Sequence, residues 1–381
     1  MSTTAGALLL TEPTDELRSM AEAVRSVLAA ESPIERVAAV ADGLDGLDAP
    51  LWRTLAQDLG VTGVLVPEAH GGLGLGWAEA RVVLEALGSS LACVPFAPSC
   101  VVAVTLVLAA GDEGAAGDIL PGIVDGSTVV AVALGDDSVL APVSRSAVAA
   151  ELGVDGAWVL TGDQPFVPYG TVADAILLLA RTSDDEHGWF LVASDARGLS
   201  RSAMSVVDTT RPQALLRLES TPARLVGAVG RCDDLLAPVL DAAVAAAACE
   251  QLGASRHLLD LTVAYASTRF QFGQPIGSFQ ALQHRLADLA ISIDTAASAV
   301  EYAVSAAPAD PRQRAEAASI SGVVCSETFY LAALETIQIH GGIGFTWEHQ
   351  AHRYYRRALA SRVALGSPAF HRERLLQSLA L

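Results

Sequence analysis

Apolar residues recur at helical spacing through the first third of the chain, at Leu17, Met20, Ala21 and Val24, then Leu51, Leu55 and Leu59, then Val82, Val83, Leu84 and Leu87. Steps of three and four place such residues on one face of a helix. Glycines between 71 and 76 interrupt the pattern. From about Thr128 the texture changes to short β-branched or apolar runs, at 129–132, 158–160, 175–179 and 189–192, separated by Gly, Asp and Pro. Such runs predict a small antiparallel β domain. After Asp233 the helical pattern returns in alanine-rich segments at 235–268, 278–305, 310–340 and 348–364, favourable to helix by propensity as well as period. The expectation is an α+β chain of three units: an N-terminal helical domain over 1–124, a middle antiparallel β domain over 125–228 and a C-terminal four-helix domain over 229–381. No internal repeat or low-complexity linker separates them. They are expected to pack as one body, with a ligand pocket where sheet meets helices.

With 381 residues, 51% of them hydrophobic, the chain has material for large cores. Its longest uncharged apolar run, around Cys100 to Ala110, is too short for a bilayer, and the first residues lack the basic start and apolar core of a secretory signal. The reading is a cytoplasmic protein with no membrane partner. Cysteines at 93, 100, 232, 249 and 325 form no CxxC pair, which fits a reducing compartment and predicts neither a disulfide framework nor a metal site. A formal charge of -19 argues against nucleic acid, whose phosphates need a basic surface. All 24 Lys-plus-Arg positions are arginine. A chain without lysine forms no lysine Schiff base and offers no P-loop lysine, which removes pyridoxal-phosphate and P-loop nucleotide chemistry.

Two segments combine chemistry-bearing residues with turns. Arg269 to Gln280 reads as a helix end, a Gly-Pro turn and a new helix capped by Ser278. An arginine beside aromatics and amides suits a phosphate-bearing ligand, and equally suits plain helix-end packing. Gln338 to Thr346 places three glycines after a helix, where backbone N–H groups can meet a ligand or simply form a C-cap and loop. His349 and His352 share a face, but with no third ligand nearby they read as surface or capping residues rather than a metal site.

The stretch RFQFGQPIGSFQALQHRLADL (269–289) and the stretch QIHGGIGF (338–345) together resemble the two signatures of the acyl-CoA dehydrogenase family. The resemblance extends over nearly the whole chain and includes Asp208-Thr209-Thr210-Arg211. It implies the family's helix–sheet–helix fold and assembly into a dimer or tetramer, with itself or with a homologous subunit. FAD is the implied cofactor, an acyl-CoA thioester the substrate and an electron-transfer flavoprotein the acceptor. By the same resemblance Arg269, Phe272, Gln280, Gln338, Gly341 and Gly342 contact FAD, largely the FAD seated in a neighbouring subunit. The family reaction removes the α-proton with a carboxylate while the β-hydrogen leaves as hydride to the flavin.

The resemblance breaks where that carboxylate belongs. The family's usual Glu-Gly-Thr aligns with Leu365-Gly366-Ser367, and the alternative base position on the first C-terminal helix aligns with Ala243. Glu250, seven residues beyond Ala243 and on about the same helix face, is the candidate base; burial among alanines would raise its pKa. The alternative is a structural carboxylate paired with Arg256 or another arginine. Glu348 reads as a helix N-terminal acid. In the β domain, the family's flavin-wrapping segments correspond to Ala133-Leu134-Gly135-Asp136-Asp137-Ser138 and Pro165-Phe166-Val167-Pro168, where Pro168 replaces a hydroxyl donor. Two readings therefore stand: a self-sufficient dehydrogenase using Glu250, and a non-catalytic subunit completing the FAD site of an active partner, as in actinobacterial assemblies acting on bulky steroid or branched acyl-CoAs.

Overall fold

The computed structural model describes residues 14–134, 147–154, 156–182 and 186–379. The N-terminal part contains α1 (Asp15–Glu31), α2 (Ile34–Ala41), α3 (Ala49–Arg53), α4 (Trp77–Ser90), α5 (Val104–Ala110) and α6 (Glu113–Val124). Side-chain caps start several of them: Thr14 accepts from the Leu17 N–H and Asp112 from the Ala115 N–H, each filling one of the donors a helix start leaves open. Val24, Leu51, Leu55, Val83, Leu84 and Leu87, among the residues that set the helical period, are buried.

The middle part contains β1 (Val130–Ala133), β2 (Ala149–Leu152), β3 (Trp158–Pro168), β4 (Ala175–Arg181), β5 (His187–Ala193), β6 (Leu199–Ala203) and β7 (Gln213–Val226). Pairings run β4–β2–β3–β7–β5 and return to β4, with β1 on β4 and β6 on β7. The sheet thus closes on itself and leaves little unpaired edge. It is antiparallel except where β1 pairs parallel with β4, from Val130 opposite Ala175 to Ala133 opposite Leu178, and where β2 touches β4 at Ala149–Arg181. The purely antiparallel expectation is corrected there: β1 reaches β4 across the intervening β2–β3 hairpin, and such a crossover delivers a strand in the same direction. The continuous apolar run of β4 is buried at every residue from Ile176 to Ala180, as a strand covered on both faces must be.

The C-terminal part contains α7 (Cys232–Thr268), a two-strand hairpin β8 (Phe270–Gln271) and β9 (Gln274–Pro275), α8 (Gln280–Ala306), α9 (Pro311–His340), α10 (Ala351–Ala364) and α11 (Pro368–Leu379). Spans 234–268 and 311–345 are long and apolar enough to cross a membrane by length and composition, and both lie mostly buried inside the protein. Among the described residues one hydrophobic cluster runs from Val24 through the sheet to Ala358, so the three parts share a core. The tightest joint is α4 against α7: a Cβ on Gly88 would overlap the Glu250 carbonyl, and a Cβ on Gly253 would overlap that of Glu85. Two glycines let the helix backbones touch, and this contact fixes where Glu250 sits.

Candidate functional site

Chain geometry brings the two signature segments together. At the end of α7 the Arg269 N–H donates to the Tyr265 carbonyl. The β8–β9 hairpin then turns through Phe272 and Gly273, both with positive φ, +53° and +82°. Two left-handed residues in a two-residue turn are the form that matches strand twist, but a phenylalanine there costs about 1–2 kcal/mol. Phe272 spends that strain while 93% exposed; strain kept on the surface points to a role outside this chain's own packing. The second segment follows α9, where Gly341 leaves the helix at φ +63° and a short 3-10 turn runs to Phe345. Ala266, Ile276 and Ile339 form a common cluster beneath both segments, and the Tyr265 ring stacks on His340 at 4.2 Å.

On top of that cluster, Arg269, Phe272, Gln280, Gln338, Gly341 and Gly342 are all exposed. No carboxylate pairs with Arg269 among the described residues. Nothing stands within 4 Å of a Cβ placed on Gly341 or Gly342, so their backbone is open to close approach. Around them Phe270, Phe345 and Trp347 are 61%, 76% and 76% exposed. An unpaired guanidinium, bare glycine backbone and exposed aromatic faces fit one side of a phosphate-bearing aromatic cofactor.

Glu250 belongs to a different place, 19 residues before Arg269 on the same helix, roughly 28 Å away along the axis at about 1.5 Å per residue. Its carboxylate pairs with Arg211; Arg256, the partner considered from sequence, pairs with Glu85 instead. Arg211 is aimed by a buried turn. The Thr210 N–H and hydroxyl both donate to Asp208 Oδ1, at 3.0 and 2.5 Å, and the Arg357 guanidinium donates to Asp208 Oδ2 and Thr210 Oγ1, each at 2.5 Å. Asp208 and Arg357 are 3% and 5% exposed. Burial, and then repulsion from Arg357, push the Arg211 guanidinium down to about 9, which is why a carboxylate beside it matters. Gly88, Ala247, Ala254 and Phe329 complete the recess, whose volume is about 10 Å³, room for about one water.

The other positions that the resemblance marks for the base carry no acidic side chain. Leu365 caps α10 and packs against Leu240, Val244 and Ala318, while Ala243 is buried one residue from Val244. Neither side chain accepts a proton. Pro168 ends β3 opposite Gln213 and has no N–H to give. Ala133 and Leu134 are described, but Gly135, Asp136, Asp137 and Ser138 lie outside the described residues. Neither His349 nor His352 sits in a group of three metal-type ligands among the described residues; the His349 ring accepts the Ala351 N–H at the start of α10, a capping role. Sequence reasoning marked Asp208 to Arg211 as part of the resemblance but gave the segment no role and missed its junction with Arg357. Its signal was the Asp-x-Thr turn just before β7, which folds on itself through an Asx turn.

Comparison with known proteins agrees with this architecture. Residues 14–127 match the family description "Acyl-CoA dehydrogenase, N-terminal domain" and residues 239–380 match "Acyl-CoA dehydrogenase, C-terminal domain". The chain is 33% identical to acyl-CoA dehydrogenase IpdE2 of Mycobacterium tuberculosis over 93% of its own length and 95% of that protein. Among solved structures it resembles a variant of the Tcur3481–Tcur3483 steroid ACAD, with a TM-score of 0.85, 33% identity and coverage of 96% of this chain and 98% of that one. It also resembles the ChsE4–ChsE5 complex from Mycobacterium tuberculosis, with a TM-score of 0.87, 29% identity and coverage of 97% and 98%. The chain belongs to the acyl-CoA dehydrogenase family of FAD-dependent oxidoreductases.

Proposed function

We propose that this chain is the supporting subunit of a heteromeric acyl-CoA dehydrogenase, presenting Arg269, Phe272, Gln280, Gln338, Gly341 and Gly342 to FAD seated in a homologous partner that carries the base. The observation that carries the reading is the contrast between its two faces: the cofactor-contacting set is exposed and unpartnered, while the inner site is filled by the Arg211–Glu250 pair and by Leu365. Two of its structural relatives are a steroid ACAD named by two chains and a two-chain complex, which supports a mixed assembly. The substrate is an acyl-CoA thioester desaturated between Cα and Cβ, with a bulky steroid-type acyl group the class those relatives suggest.

FAD, when bound, accepts the β-hydrogen as hydride. This chain's part would be to hold and orient: Arg269 would neutralise the cofactor's phosphate charge, the open 341–342 backbone would let it approach closely, and the aromatics around Phe272 would exclude water from it. Glu250 serves as the counter-charge of Arg211. In the competing reading Glu250 is the base of a self-sufficient enzyme, which requires the pair to open and the recess to widen. We further propose a cytoplasmic location, an electron-transfer flavoprotein as acceptor, and the three-unit division 1–124, 125–228 and 229–381.

The test is to purify the chain alone and together with a candidate homologous subunit, then record visible absorption, mass and flavin reduction by acyl-CoA. The expected result is a colourless chain that gains stoichiometric flavin and activity only in the mixed assembly. A chain that purifies yellow alone and reduces its own flavin with acyl-CoA overturns the proposal.

A further inference from the structure

Four of the eight histidines of the chain converge on residues 341–350, the loop that carries Gly341, Gly342, Phe345 and Trp347. His340, 3% exposed, lies between the Tyr265 ring at 4.2 Å and the His349 ring at 4.4 Å. His352 packs its ring edge-on to Trp347 at 4.8 Å. From α7, His257 stacks on Tyr354 and its Nε2 meets Gln350 Oε1 at 3.4 Å. The far side of the loop is therefore held to the bundle by imidazoles.

One of these rings, His340, has no place for a second proton. His340 donates from Nδ1 to the Thr336 carbonyl and His352 from Nδ1 to the His349 carbonyl, both at 2.7 Å. With those protons assigned, each Nε2 is a lone pair, buried and without a partner. His349 uses its own Nδ1 lone pair to accept the Ala351 N–H. Protonation would create a buried N–H with no acceptor at His340, and at His349 it would break the cap; at His352 the Thr346 carbonyl is in reach, but burial still opposes the charge.

The charged neighbours do not relieve this. From α10, Arg353 and Arg356 repel a charged His352. Asp42 faces His352 but is engaged by Arg353; on α9, Glu335 is engaged by Arg285; on α7, Asp260 acts on His257, and Tyr265 is a neutral stacking partner. Glu348, within the loop, is exposed to solvent. Burial lowers the proton affinity of His340, His349 and His352, and the first and last also repel His349 when charged.

We propose that His340, His349 and His352 form an acid-sensitive latch that holds the 341–350 loop against the bundle while neutral and releases it when protonated. The latch stands on the geometry of this chain. Its consequence, loosening of the subunit contact at acidic pH, rests on the function proposed above.

The test is amide hydrogen exchange on the purified full-length chain at about pH 7.5 and about pH 5, corrected for intrinsic exchange, with the segment 341–350 compared with α4 as internal control. Loop exchange should accelerate on the order of tenfold at the lower pH while α4 holds. His349→Phe, which keeps a ring but takes no proton, should flatten that response. Equal loop protection at both values, or parallel loss in α4, overturns the latch. Should His349→Phe fail to fold, histidine ring NMR of the parent decides: His340, His349 and His352 should titrate together below the ordinary imidazole range, and independent titrations within that range overturn it. Neither readout needs flavin or a partner, so the latch can fail while the proposed function survives, and the reverse.

Discussion

Replacing Glu250 with Gln separates a structural carboxylate from a catalytic one. Glutamine keeps the shape and one acceptor, but it removes the negative charge that neutralises Arg211, whose side chain is 28% exposed against 12% for Glu250. Asp208, the other carboxylate that acts on Arg211, is already paired with Arg357, so it offsets only part of the loss. Breaking a fully buried ion pair from one side costs about 3–5 kcal/mol; partial exposure and the remaining amide acceptor bring the expected loss to about 1–3 kcal/mol. In a chain of this size a loss of 2 kcal/mol lowers Tm by roughly 2–3 °C. Scanning calorimetry of the variant reads that shift. Adding Arg211→Met should restore most of it, because removing both charged partners is far less costly than removing one. Stopped-flow reduction of flavin in the mixed assembly should proceed at the parental rate. A variant with an unchanged melt whose flavin reduction slows by roughly 10²-fold or more would refute this reasoning and make Glu250 the base.

Arg269→Ala should weaken flavin retention in the assembly by about 1.5–3 kcal/mol, the worth of a charge-assisted phosphate contact, as measured by flavin content after dilution; unchanged content removes Arg269 from the site. Gly88→Ala forces a methyl into the Glu250 carbonyl and should destabilise by about 1–3 kcal/mol or more, visible as a lower denaturant midpoint at unchanged m-value. His371 is buried against Gly322 and Gly366, and burial lowers its pKa to about 4. Since the unfolded chain takes that proton near 6.5, stability is complete above about pH 6.5 and falls as pH drops toward 4, by roughly 3 kcal/mol for this group. His371→Asn should remove that part of the acid slope in unfolding titrations, and an unaltered slope would exclude it.

What the sequence by itself determined is what depends on local period and covalent chemistry. The alanine-rich segments at 235–268, 278–305, 310–340 and 348–364 mark α7 to α10, because long runs of strong helix formers with few breakers favour helix locally, even where α7 is buried on nearly every side. Leu365 and Ala243 rule themselves out as proton acceptors by composition alone, and the two signature segments announced their turns through Gly and Pro. Weaker local signals were lost: β2, β6 and the long β7 alternate with polar residues on an exposed face, and α11 follows α10 with no apolar run of its own. The partner of Glu250 was not legible at all. Arg256 lay nearer in sequence, but α4 supplies Glu85 to capture it, and a turn 39 residues before Glu250 delivers Arg211. Which guanidinium meets which carboxylate depends on how the three parts of the chain dock, and that is set by glycine contacts and core volume spread along the whole chain. The same docking leaves Phe272 bare on the hairpin beyond α7 and closes the recess beside Glu250 in the middle of that helix, a difference that only the tertiary structure decides.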